Sequence, residues 1–473
     1  MIRVLLIILV AASALASAQP APDSWPDPFE MTFDELDEVT LEPERVELSN
    51  GMVVYLLEDA SLPLIEGLAY VRAPSLYDPE GKIGLAAMTA DLLRTGGAGE
   101  RSADEVDETL EFLAASVEGS ASNSAATVSF SALSDNVDEV LEVFGDVLQR
   151  PQFSEDRLEL LRGRTLEEIR RENDDPVGIA QREFVRRVAE GHPVGEFPTV
   201  ETIQSVTRDD IVDFYERYYA PNEIVLAVSG DFERDAMVER LESTLGDWQQ
   251  KDVNYPDLPE FDPTPEPRVY YAPKETTQSV IFMGHPSVLA YSPDYADLTV
   301  ANGILGGEGF SSRITTEVRT RRGLAYATGS GLTQGYQYPG FFYAYSLSRG
   351  DATGQVLNLL RGEIVRLQQE GVTEAELQQQ KETLLSRAVF RFTSSAQVAQ
   401  RSAEAEFLDL EENYYEDYIG GVQEVSAADV QEVAQKDLRP DGLVVMVVGD
   451  ASQFDTPLEE FGEVVRIELE GSE

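Results

Sequence analysis

Apolar residues along this chain keep two rhythms, one of period two and one near 3.6. Residues 46–58, VELSNGMVVYLLE, carry strand formers on both sides of Asn50-Gly51, a hairpin turn signal. Residues 64–72 and 125–133 alternate as strands do, and 224–228 is a short apolar run of the same kind. Residues 84–93 and 137–148 are apolar at helical spacing, and a longer helical pattern runs over 154–173. Ser102 with Glu105 reads as a capping box that opens a helix reaching Leu113. Residues 206–219 predict another helix, and one more starts at Asp235.

The pattern repeats. Residues 206–231, VTRDDIVDFYERYYAPNEIVLAVSGD, align without a gap on residues 425–450, VSAADVQEVAQKDLRPDGLVVMVVGD. Asp210 meets Asp429, Pro221 meets Pro440 and Asp231 meets Asp450, each pair 219 positions apart. The helical pattern from Ser154 meets one from Thr373 at the same offset, with Leu158 on Leu377 and Leu166 on Leu385. One offset shared by two separate segments indicates a tandem duplication. Helices and strands in mixed order, with hairpins, predict an α+β fold: two homologous domains, each a mostly antiparallel sheet covered by helices. The expected bounds are 41–250 and 269–473, joined by a linker over 251–268 that holds five prolines.

Composition narrows the setting. Residues 1–18 read as a secretory signal, with Arg3 before a short apolar run and Ala16-Ser17-Ala18 as the cleavage site. That run is too short to span a bilayer, and no later run approaches membrane length. Residues 19–40, rich in Pro and Asp, form a loose lead-in. The expected location is therefore outside the cytoplasm, periplasmic or extracellular. The chain has no cysteine, which excludes disulfides, thiolate metal sites and a cysteine nucleophile. Its formal charge is −51, and repulsion rules out nucleic acid as a partner. Acids spread along the whole chain fit a protein kept soluble at high salt, as in halophiles; the other reading is a surface that attracts cationic peptides.

Candidate chemistry gathers in residues 303–326, GILGGEGFSSRITTEVRTRRGLAY. This stretch joins a glycine loop (Gly306, Gly307, Glu308, Gly309, Phe310), a helix with Ile314 and Val318 on one face, the cations Arg319, Arg321 and Arg322, and a turn into a strand at Tyr326. The loop lacks the Gly-Lys-Ser/Thr of a nucleotide-binding loop. It reads as either a flexible substrate-contacting loop or a tight turn before a helix. Tyr336, Tyr338, Phe341, Phe342, Tyr343 and Tyr345 alternate partly as a strand does, for core packing or for lining a chamber. His192 and His285, each followed by proline, read as loop residues shaping turns.

The segments 82–97, 165–176, 192–232 and 304–331 resemble the pitrilysin/insulinase (inverzincin) family of zinc metallopeptidases. With the repeat, the resemblance covers essentially all of the chain after the leader. Active members follow Gly-Leu-Ala with H-x-x-E-H on a helix, two imidazoles for zinc and a glutamate as general base. Here Gly84-Leu85-Ala86 is followed by Ala87 at the first histidine position, Ala90 at the base position and Asp91 at the second histidine position. Glu168 stands at the place of the downstream zinc ligand, orphaned. Active members also need an Arg and, seven residues on, a Tyr from another domain; Arg319 and Tyr326 keep that pattern. The resemblance therefore implies a non-catalytic subunit, like the alpha subunit of the mitochondrial processing peptidase. It implies no metal in this chain, zinc in a homologous H-x-x-E-H partner, peptides as substrates, and Arg319 and Tyr326 acting in trans. The alternative is a non-enzymatic peptide-binding or scaffold member of the family.

Overall fold

The computed structural model describes residues 42–469 apart from 263, 389–391 and 412. The expected signal (1–18) and lead-in (19–40) lie outside the described residues. Strands β1 (Glu44–Glu47), β2 (Val53–Glu58), β3 (Leu64–Val71), β4 (Ser116–Ala121), β5 (Ala126–Leu133) and β6 (Ile224–Gly230) form one six-stranded sheet, ordered β1-β2-β6-β3-β5-β4. Strands β7 (Val269–Pro273), β8 (Gln278–Pro286), β9 (Ala325–Leu332), β10 (Phe341–Arg349), β11 (Val444–Gly449) and β12 (Val464–Arg466) form a second, ordered β12-β7-β11-β8-β10-β9. The fold is α+β, and most neighbours are antiparallel. The exceptions are β2 with β6 and β7 with β11 and β12. Both β6 and β11 arrive after long helical crossovers, so their direction is not tied to the strand beside them.

Period-two patterning explains how the sheets are covered. On β6, Ile224, Leu226 and Val228 face the core of the first half, while Val225 and Ala227 face the other way. On β11, Val445 and Val447 face one core, and Val444, Met446 and Val448 another. A strand that is apolar on both faces needs cover on both. Each half supplies one layer of helices to its own sheet and lends one helix to its neighbour. Helix Pro176–Val188 packs Ile179, Ala180, Phe184 and Val188 on the second sheet. Helix Ser395–Phe407 packs Val398, Ala399, Ala403 and Phe407 on the first. These two helices begin, end and present their apolar residues at positions 219 apart. Tyr70 of β3 meets the Phe407 ring with centroids 5.6 Å apart. Burying one such phenylalanine contributes about 1.5–3 kcal/mol, and truncating it to alanine costs about 3–5 kcal/mol.

Among its described residues the proline-rich segment 251–268 has no regular element, and it is packed against the protein. Tyr255 donates to Glu223 Oε2 at 2.6 Å and stacks on Tyr218, and Phe261 lies between His192 and Phe341. His192 does shape a turn, its Nδ1 accepting from the Val194 N–H. His285 does not. It sits inside β8, 1% exposed, paired with Phe342 of β10, and its Nε2 accepts from the Arg439 N–H. Burial pushes its pKa down to about 4, so the ring stays neutral. A proline closing the last position of a strand looks like a loop signal in sequence, which is why His285 misled.

Candidate functional site

The helix Leu85–Thr95 stands where the resemblance places the zinc motif. It starts after Gly84, whose φ of 105° is open to glycine. The Asp78 carboxylate accepts from the Gly84 and Ala86 N–H groups at 2.7 Å each, capping the helix. Ala87 is exposed, and Ala90 is fully buried beside β4, where a Cβ on Gly119 would lie 2.0 Å from the Ala90 carbonyl oxygen. Asp91 accepts from Thr95 Oγ1 at 2.8 Å and from Arg164 Nη2 at 2.7 Å. Glu168 lies 3.9 Å from Arg164 Nε, one helical turn along Glu155–Arg171.

Zinc does not fit these residues. Ala87 and Ala90 carry no donor atom, and the two remaining carboxylates already share a guanidinium. Arg164 places a fixed positive charge between Asp91 and Glu168. Glu168 is thus not without a partner: its partner is a cation of the chain itself. Among the described residues no group of three or more His, Asp or Glu side chains has the geometry to hold a metal ion.

The second-half site is built differently. Helix Tyr295–Asn302 continues into a π-helical turn, Gly303–Gly307, and a second π-helical stretch covers Thr315–Arg321. The expected glycine loop is thus partly helical, and the helix expected over Ile314 and Val318 turns π-helical from Thr315 onward. Such turns widen the helix and often mark functional sites. Buried Ile314 and Val318 anchor the stretch, and Thr315 Oγ1 donates to the Thr328 carbonyl of β9 at 3.0 Å. Gly306 is needed for packing, since a Cβ there would lie 2.4 Å from the Ser330 nitrogen of β9. Glu308 pairs with Arg387 at 2.7 Å and is turned to structure. Gly307, Gly309 and Phe310 are exposed.

The arginines separate by partner. Arg313 is held by Glu376, and Arg321 and Arg322 by Glu317. Arg319 makes no ion pair among the described residues. Its guanidinium carbon lies 4.6 Å from the Phe310 ring centroid and 5.4 Å from that of Tyr326. Two rings hold the cation by their π faces, and no hydrogen bond from its N–H groups is seen among the described residues. Phe310 is 69% and Tyr326 75% exposed, so the cluster opens to solvent. Arg319, Tyr326 and Phe310 therefore come together, while Gly306 and Glu308 are absorbed by packing and pairing. Most of the aromatic run is packing too. Phe341 and Phe342 are buried, Tyr338 stacks on Phe261, Tyr343 and Tyr345 lie beside Phe282, and Tyr336 lines a cavity.

A pair of helix-covered six-stranded sheets, with the helix at the zinc-motif position lacking its ligands in the first half and an Arg/Tyr cluster in the second, defines a metallopeptidase-type chain with a degenerate metal helix. Residues 67–196 match the insulinase family (peptidase family M16), and residues 205–384 match the peptidase M16 inactive domain. The chain belongs to the insulinase, or M16, family. An uncharacterized zinc protease of Streptomyces coelicolor is 27% identical over 313 residues, covering 62% of this chain and 65% of that one. A non-peptidase homolog from Helicobacter pylori is 23% identical over 389 residues, 81% of this chain and 88% of its own. The crystal structure of a peptidase M16 inactive domain from Pseudomonas fluorescens superposes with a TM-score of 0.79 at 24% identity, covering 87% of this chain and 98% of that one. Among the described residues no helix is long and apolar enough to cross a membrane.

Proposed function

We propose that this chain is the non-catalytic subunit of an exported heterodimeric zinc metalloendopeptidase acting on peptides. A homologous partner supplies H-x-x-E-H and zinc, and this chain supplies Arg319, Tyr326 and half of the substrate chamber. One contrast carries the reading: Arg164 sits between Asp91 and Glu168 in the first half, while Arg319 in the second lies against two rings and pairs with no carboxylate among the described residues. In a chain of net charge −51, an arginine left without an acidic partner is available for another negative or carbonyl group. The Tyr326 hydroxyl is suited to donate to an oxyanion forming at a scissile carbonyl, and Arg319 to orient the peptide. Export and adaptation to high salt follow from the leader and the spread of acids, and belong to the same proposal.

The test is reconstitution. The purified chain alone should hold no stoichiometric zinc by elemental analysis and cleave no peptide. Mixed with an H-x-x-E-H homologue it should raise peptidase activity. Full activity of the chain by itself would overturn the proposal. A second reading, a non-enzymatic peptide-binding or scaffold protein, takes support from the Helicobacter pylori relative named a non-peptidase homolog. Under it, Arg319→Ala changes peptide affinity and no cleavage rate.

A further inference from the structure

A cavity of about 620 Å³ lies at the far end of β9 from Tyr326. Six residues of strand separate Tyr326 from Leu332, or about 20 Å at about 3.3 Å per residue, so this cavity is separate from the Arg319 cluster. Its walls are unusual for this chain. Tyr291, Tyr295, Tyr336, Tyr414 and Tyr418 all line it, five of the 19 tyrosines of the sequence. They come from the segment after β8, the β9–β10 connection and helix Tyr414–Glu424. Tyr295 meets Tyr418 with ring centroids 5.9 Å apart, Tyr336 meets Tyr414 at 6.2 Å, and the Tyr414 hydroxyl donates to the Ala290 carbonyl at 2.9 Å. The wall is thus built and fixed, not a chance gap.

Asp409, Glu411 and Asp417 stand exposed at the cavity rim, and no Lys, Arg or His lines it. Acids alone say little here, because the whole chain is acidic. Clustered tyrosine faces beneath carboxylates are a different matter. Ring faces attract a cation and its alkyl stem together, and the carboxylates draw it in. The same chemistry is already visible at one corner. Arg72 reaches Asp409 Oδ2 at 3.7 Å and lies 5.0 Å from the Phe407 ring centroid.

We infer that this tyrosine-lined cavity is a binding site for an organic cation, a primary ammonium or guanidinium on an alkyl chain. Such a group comes either from a free polyamine or from a lysine or arginine side chain of a peptide. Calorimetric titration of the full chain with spermidine, and separately with N-acetyl-arginine amide, tests it. At least one should bind saturably, at one site, with a dissociation constant below about 1 mM. Tyr291→Ala and Asp417→Asn change exposed positions. Each should keep the parent melting temperature and weaken binding roughly tenfold. Glu239→Gln, which removes an exposed acid outside the cavity, should leave binding as it was. Tighter binding of spermidine points to a free polyamine, and tighter binding of the arginine derivative to a peptide side chain. Absence of saturable binding by both, or equal weakening by Glu239→Gln, overturns the inference.

Discussion

Each half of the molecule fills the same topological slot, between an inner strand and the following hairpin, in its own way. In the first half, β3 leads through two regular eleven-residue helices, Leu85–Thr95 and Ala103–Leu113, to β4 and β5. In the second, β8 leads through an eight-residue helix, a π-helical turn, an exposed glycine and a second π-helical stretch to β9 and β10. The first slot is smooth and packed: Ala90 is buried, and its charges pair internally. The second departs from regular helix and leaves aromatic and cationic groups in solvent. A segment kept only for packing drifts toward regular structure. The second slot keeps two exposed rings against an arginine that makes no ion pair among the described residues, an arrangement that core packing does not require.

Kinetics with an H-x-x-E-H partner give the sharpest way to break this comparison. Tyr326→Phe and Arg319→Ala should each lower kcat of the reconstituted pair by about 10²–10³-fold. The double change Asp91→Asn with Glu168→Gln, in the other slot, should leave it within about twofold, the size of an exposed charge effect. If the two slots respond alike, the division of labour is wrong. Phe310→Ala sharpens it further, since it frees one face of Arg319 and should raise KM more than it lowers kcat.

The packed slot makes its own prediction through Asp78. Burial pushes this carboxyl up to about 7, outweighing the backbone N–H groups of Ala86, Gly84 and Leu85 that favour the charged form. The folded chain therefore binds this proton more tightly than the unfolded chain does. Its stabilising contribution is complete below about pH 4 and is lost as pH rises through about 7, on the order of 4 kcal/mol in all. Chemical unfolding at pH 5 and pH 8 should show a loss of about 3 kcal/mol of that total, and Asp78→Asn should flatten it. Carboxylates held low, such as Glu376 at about 2 beside Arg313, act in the opposite sense and at lower pH. The two effects are separable.

Gly309 tests the irregular slot on a smaller scale. Its φ is +40° and a Cβ would meet nothing, so only backbone strain opposes a side chain there. Gly309→Ala should cost about 1 kcal/mol in unfolding free energy. It should also loosen Phe310 over Arg319, read as a raised KM.

Much of this was legible from sequence, for identifiable reasons. The 219-residue offset located the duplication, and capping boxes at Thr207–Asp210 and Ser426–Asp429 form at equivalent places. Arg319 and Tyr326 were legible as a spaced pair. Phe310 was legible only as part of a loop, because its ring reaches Arg319 through a π-helical path that no periodicity announces. The helix exchange was hidden, since a helix that covers a neighbour's sheet has the same apolar stripe as one that covers its own. Arg164 was half visible. Its spacing to Glu168 is an ordinary helix pair, but its bond to Asp91 joins positions 73 apart.

That pair gives the smallest predicted effect. Arg164 is 59% and Glu168 68% exposed on their side chains, so water and salt screen the interaction. Arg164→Ala should change unfolding free energy by less than about 1 kcal/mol, although it removes the cation that lies between the two carboxylates. The informative readout is zinc. With Arg164 gone, Asp91 and Glu168 are free, but two carboxylates without imidazole are a poor zinc site, so elemental analysis should still find no stoichiometric metal. In the triple variant Ala87→His, Ala90→Glu, Asp91→His, zinc should bind more weakly with Arg164 present than with Arg164→Ala added, because the guanidinium competes for Glu168. If Arg164 makes no difference to that affinity, it is a surface charge that happens to sit there, and the first slot lost its metal through Ala87, Ala90 and Asp91 alone.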